Sequence, residues 1–91
     1  MIQAIEESIG LLKQLGFSCF SKDIGADGAM VMFVSDEGYI YILNLDGHKT
    51  VFSSLSFETQ MFQYESNESD IHKFIRWLKA QLMEIKLGRS R

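Results

Sequence analysis

Ninety-one residues with 46% apolar, 23% charged and 12% aromatic side chains, and no proline, suffice for one compact domain, 1–91, and leave no room for a second. So many apolar and aromatic groups exclude a disordered chain, and the longest apolar runs, Met30 to Val34 and Tyr39 to Leu43, are far too short for a membrane helix. The net charge of −3 conceals a division: residues 1–70 carry three basic side chains against eleven acidic ones, a net −8, while residues 71–91 carry six against Glu84 alone, a net +5.

The first segment is too acidic for a signal peptide, so a cytoplasmic protein without membrane attachment is expected. A chain this short buries only about 60 to 65% of its unfolded surface, so its core is thin. The one cysteine, Cys19, has no partner for an internal disulfide, and zinc or redox cysteine motifs need at least two.

Ile2, Ile5, Ile9 and Leu12, with Leu15 a turn further, recur at helical spacing and predict a helix over 2–15. Gly16 suits the left-handed position after that helix, with Phe17 folding back onto it. Gly10 in its middle suggests close approach of another element. From residue 17 the pattern changes to β-branched and aromatic residues broken by glycine and aspartate, which predicts consecutive antiparallel strands.

The first strand is Phe17 to Ile24. Gly25 and Gly28 offer positive φ in the turn to a second, Ala29 to Val34, and Asp36-Glu37-Gly38 suits a hairpin ending in a left-handed glycine. Tyr39 to Leu45 is the third strand. Asp46-Gly47 predicts a type I′ turn into the fourth, Lys49 to Ser54. Phe57 to Glu65 reads as a fifth strand, with a bend or bulge over residues 53–56. Residues 66–70, Ser-Asn-Glu-Ser-Asp, are helix N-cap formers and open a helix over 71–87, whose core stripe is Ile71, Phe74, Ile75, Leu78, Leu82 and Ile85. Gly88 reads as its terminator and 88–91 as a basic tail. The fold class is therefore α+β, in the order α-β-β-β-β-(β)-α, a two-layer sandwich with both helices expected on one face.

The second and third strands are apolar on both faces, which requires cover on both sides. With both helices on one face, the other must meet a second copy or another protein; one helix on each face, or a simple exposed apolar patch, would account for the same pattern. On the last helix, Trp77, Ala80, Met83 and Leu87 lie off the core stripe among Lys73, Arg76 and Lys79. Tryptophan, methionine and arginine are enriched at interfaces, so Arg76, Trp77, Met83 and Leu87 are candidate contacts, although Trp77 reads equally well as a flank of the core. The acidic turn residues Asp27, Asp36, Glu37 and Asp46 are displayed for a basic protein surface.

No catalytic, cofactor or metal motif emerges. His48 follows a hairpin turn and His72 opens a helix, neither in a recognisable constellation. Cys19 with a histidine would make a thiol site, but alternation makes it a small core residue. Gly25-Ala26-Asp27-Gly28 lacks the Lys-Ser/Thr and following helix of a phosphate cradle. Asp23, Asp27 and Asp46 gather at one end of the meander without the spacing of a calcium loop.

The element order resembles the helix, meander, helix plan of small secretion-chaperone-like and frataxin-like domains. Size and acidity resemble small phage-encoded inhibitors of host defence such as anti-CRISPR proteins. Both resemblances rest on element order, size and charge, and imply no site residues. The reading is a non-enzymatic protein-binding module, an adaptor, chaperone or inhibitor, whose partner is another protein or its own second copy. The alternatives are nucleic-acid binding through the basic last helix and a phage- or mobile-element-encoded inhibitor of a host defence protein.

Overall fold

The computed structural model describes residues 2–56 and 62–89. In chain order they form α1 (Ile2–Gln14), β1 (Phe17–Ile24), β2 (Ala29–Ser35), β3 (Ile40–Leu45), β4 (Thr50–Ser54), β5 (Tyr64–Ser66) and α2 (Ile71–Arg89). The strands make one antiparallel sheet in the order β1-β2-β3-β4-β5. The α+β meander expected from the sequence is therefore the fold.

Alternation along the strands sends Val31 and Phe33 of β2, Tyr41, Leu43 and Leu45 of β3, and Phe52 of β4 to one side, where they form a single core with α1 and α2. α1 packs on β1 and on α2. α2 reaches the far strands through Phe74, whose ring centroid lies 5.9 Å from Phe52 and 5.1 Å from Tyr64. Both helices thus lie on the same face, as expected. Phe17, directly after Gly16, is buried and turns its ring into the core, where it meets those of Tyr41, Phe52 and Phe62.

Helix ends follow the local chemistry. Gly16, at φ 97°, closes α1 with its N–H on the Lys13 carbonyl. Asp70 caps α2, its Oδ1 accepting the backbone N–H groups of His72 and Lys73 at 3.1 and 3.2 Å.

Several local expectations are corrected. The buried residues of α1 are Ala4, Ile5, Ser8 and Leu12, whereas Ile2 is 62% exposed and Ile9 only half-buried. α1 packs on both β1 and α2, and its buried stripe takes in the small residues at 4 and 8; the Ser8 hydroxyl is satisfied by the Ala4 carbonyl at 3.0 Å. Gly10 has nothing near it and marks no close approach. Close approach occurs instead at Gly28, where a Cβ would collide with the Leu45 carbonyl oxygen. The positive-φ glycines among the described residues are Gly16 and Gly38, so neither Gly25 nor Gly28 supplies one.

The β3–β4 turn is also not type I′, since neither Asp46 nor Gly47 has positive φ. It is held by the Asp46 carboxylate, whose Oδ1 accepts the N–H groups of His48 and Lys49 at 2.7 and 2.8 Å. By contrast the β2–β3 turn does close on a left-handed glycine, Gly38 at φ 92°.

The fifth strand is shorter than expected, Tyr64–Ser66, and the Phe57 to Met61 part of that expectation lies outside the described residues. The irregularity anticipated around Ser53 to Ser56 is a bend after β4. The sheet's bulge sits in β1, where Phe20 is the extra residue between Cys19 and Ser21. Finally, α2 does not stop at Gly88 but continues through it to Arg89, so these two residues belong to the helix rather than to a tail. Ile85, expected in the core, is 43% exposed: the fully buried part of α2 ends at Leu78, Leu82 is half-buried, and Ile85 lies at the surface beside the end of α1 and Gly16.

Two glycines of opposite environment provide a test. Gly10→Ala should stabilise the domain by about 1 kcal/mol, because the helix gains propensity and the methyl group meets nothing. Gly28→Ala should lower the melting temperature, because the turn must move off β3. Thermal denaturation of the two variants beside the parent reads both.

The Asp46 turn predicts a pH dependence. Hydrogen bonds from His48, then Lys49, hold the Asp46 carboxyl below its ordinary range. A depressed native value means that the contribution is full at neutral pH and is lost as pH falls through the native value. Asp46→Ala should therefore melt below the parent at pH 7, and the difference should shrink as pH falls below the ordinary carboxylate range.

Candidate protein-binding surface

The face of the sheet opposite the helices is covered by no described element. Its side chains follow from the strand registers. Met32 and Ile42 pair across β2 and β3 in a central row that Ser21 and Ser53 complete. On one side lies the row Asp23, Met30, Asn44, Val51 and Glu65, and on the other Ser18, Val34 and Ile40. Leu55, whose N–H bonds the Ile40 carbonyl at 3.0 Å, extends that last row.

Met30 is 45% exposed, Leu55 60% and the bulge residue Phe20 53%, while Met32, Val34, Ile40, Ile42 and Val51 are half-buried by their neighbours in the sheet. The two charges of the face, Asp23 and Glu65, stand on its outer strands. Apart from the Asn44 amide on β3, the face is therefore apolar in its middle and polar at its border, the pattern of an interface. The sequence pointed to this face through its doubly apolar strands, but the particular residues were not singled out there; their signal was the period-2 alternation with Val31, Phe33, Tyr41 and Leu43.

The candidate contacts on α2 divide. Arg76, Met83 and Leu87 are exposed, Met83 and Leu87 at 60% and 59%. Trp77 is half-buried within an aromatic group, with ring centroids 5.0 Å from Phe62, 5.1 Å from Tyr64 and 5.9 Å from Phe74. Its ring completes the core edge beside β5, so the flanking reading describes it. The neighbouring lysines are engaged: Lys79 Nζ lies 3.3 Å from Glu7 and Lys73 Nζ 3.7 Å from Glu68.

The acidic turn residues do not form one surface. Asp27 and Asp46 lie at the end of the sheet where Ile24, Ala29, Leu45 and Thr50 align, beside a shallow depression that Asp23 also borders. Asp36 and Glu37 occupy the opposite end, next to Gly16. Among the described residues, no three metal-ligating side chains gather around a common point. Glu6 on α1 pairs with Lys22 of β1 at 2.7 Å and raises the lysine above its ordinary range, chiefly through the hydrogen bond and then through charge.

Cys19 shares a row with Phe33 and Tyr41, four residues along β2 from Ala29 and the end that carries His48, or about 13 Å. The β3–β4 turn with His48 and the first turn of α2 with His72 are both at that far end, where Thr50 Oγ1 bonds the Glu68 carbonyl at 3.0 Å. The thiol and the imidazoles are thus held apart by the length of the sheet.

Trp77→Ala should cost the isolated domain about 2 kcal/mol, since three ring contacts are lost at a half-buried site. Chemical denaturation of the variant checks this; an unchanged midpoint would contradict the packing described. None of the described helices is long and apolar enough to cross a membrane. No family model, no curated protein and no solved structure matches the chain.

Proposed function

We propose that the protein is a non-catalytic binding module that acts by laying the open face of its sheet on a protein surface. The observation that carries this reading is the Met30, Met32, Val34, Ile40, Ile42 and Val51 face, apolar, contiguous across β2 to β4 and left bare by both helices. Burying such a face releases about 25 cal/mol per Å² of apolar surface, while leaving it in water forfeits that gain. Among the described residues, the depression that Asp23, Met30 and Asn44 share with the Asp27 and Asp46 turns is shallow, and the uncharged middle of the face offers nothing to a phosphate backbone.

Nucleic-acid binding through α2 has less support. Lys73 and Lys79 have surface carboxylates, Glu68 and Glu7, beside them, and the first seventy residues, at a net −8, repel phosphates. The expected setting is the cytoplasm, where a free thiol such as Cys19 stays reduced.

A photo-crosslinking residue placed at Ser53, on the open face, tests the reading in cells that make the protein. Protein adducts of discrete mass are expected, and they should disappear when Ile42→Lys is added. Adducts to nucleic acid, or protein adducts indifferent to Ile42→Lys, would sink it.

A further inference from the structure

Resting on the reading of the open sheet face as an interface, we infer that its occupant is a second copy of this chain, stacked face to face about a two-fold axis. Identical faces can meet only if the axis lies in the interface plane. An axis running across the strands along the Met32–Ile42 row sets that row on its own copy. It also exchanges the two flanking rows, so that the row of Asp23, Met30, Asn44 and Val51 lies over that of Ser18, Val34, Ile40 and Leu55.

Most of the resulting oppositions are compatible. Met30 faces Val34, Val51 faces Leu55, and Asp23 faces Ser18 rather than another carboxylate, while the exposed Asn44 amide lies over Ile40. Glu65, on the edge strand β5, falls outside the overlap of the second row and remains in water. No like charges are opposed, although each copy is acidic overall. Serines at positions 21 and 53 finish the central row with hydroxyls that water or the other copy can satisfy.

Size agrees with this occupant. The overlapping strands β1 to β4 are eight, seven, six and five residues long, so at about 3.4 Å per residue and about 4.8 Å between strands they make a face of roughly 400 Å², and two copies bury on the order of 800 Å². That is the low end of protein interfaces, and it describes a dimer that dissociates on dilution rather than an obligate one. Composition agrees as well. A face whose middle is apolar apart from the Asn44 amide is closer in composition to homodimer contacts than to surfaces that meet other proteins transiently, which are as polar as the rest of the molecule. The Phe20 bulge interrupts the free edge of β1, which disfavours joining the sheets edge to edge.

Light scattering and sedimentation of the purified full chain across a concentration series test the inference. The expected result is a shift from 10.4 kDa towards twice that mass as concentration rises, insensitive to added salt. Ile42→Lys should weaken the association at least 30-fold while leaving a folded monomer by circular dichroism. Met30→Lys, at a side chain already 45% exposed, repeats the test should Ile42→Lys fail to fold. Met83→Lys with Leu87→Lys, on the free end of α2, should leave the mass unchanged.

A monomer at every concentration would overturn the inference, as would a dimer broken by the α2 variants and not by those of the sheet. If the purified protein is monomeric yet the Ser53 crosslinker still captures a protein of another mass, the second copy is refuted and the binding-module reading stands. If there is neither association nor any Ile42-dependent adduct, both fall.

Discussion

The ring of Phe52 is the contact on which the rest of the molecule depends. It is fully buried in β4, and five other aromatic rings approach it: Phe17 from β1, Phe33 from β2, Tyr41 from β3, Phe62, and Phe74 from α2. A thin core in a short chain gains most from large side chains, and edge-to-face pairs add to what area alone contributes. Because β4 places Phe52 on one face only, both helices are drawn to that face. The bare side of the sheet is the direct consequence, so the same ring that organises the core leaves an interface behind it.

Charge is arranged around this core with a similar economy. Glu6 and Glu7, adjacent on α1, reach in two directions, to Lys22 of the edge strand and to Lys79 of α2. Each of these pairs is exposed and contributes little by itself. Their effect is on the outward character of the molecule: part of the basic charge of α2 stands beside carboxylates of the protein's own. What remains for a partner is the apolar open face, bordered by acidic turns at both ends of the sheet, and the free end of α2 with Met83 and Leu87.

Much of the meander was legible because turn chemistry is local. β1 begins and ends where Phe17 and Ile24 predict, Gly16 and Gly38 take the left-handed conformations assigned to them, and Asp70 caps α2. The misread details have a common origin in contacts from distant parts of the chain. Gly28 is required by the carbonyl of Leu45, not by its own φ. Ala4 and Ser8 are buried in α1, which packs on both β1 and α2, although neither belongs to the isoleucine and leucine stripe. Periodicity cannot see where the cover over a helix ends, so Ile85 looked like core when it stands beyond the buried part of α2. Trp77 lay off the stripe yet is gathered in by Phe62 and Tyr64, from a segment whose path the sequence left open.

By itself the sequence determined the element order, the antiparallel class, the division of charge and the presence of two strands apolar on both sides. These follow from side-chain period, glycine and aspartate at turns, and simple counting, all properties of neighbouring residues. Only the tertiary structure decided which face those strands leave bare, that Met30, Met32, Ile42 and Val51 compose it, and that the acidic turns split between two ends. Those outcomes depend on where each helix settles, and that is set by the packing of Phe52 and Phe74 across more than twenty residues of chain, beyond the reach of any local pattern.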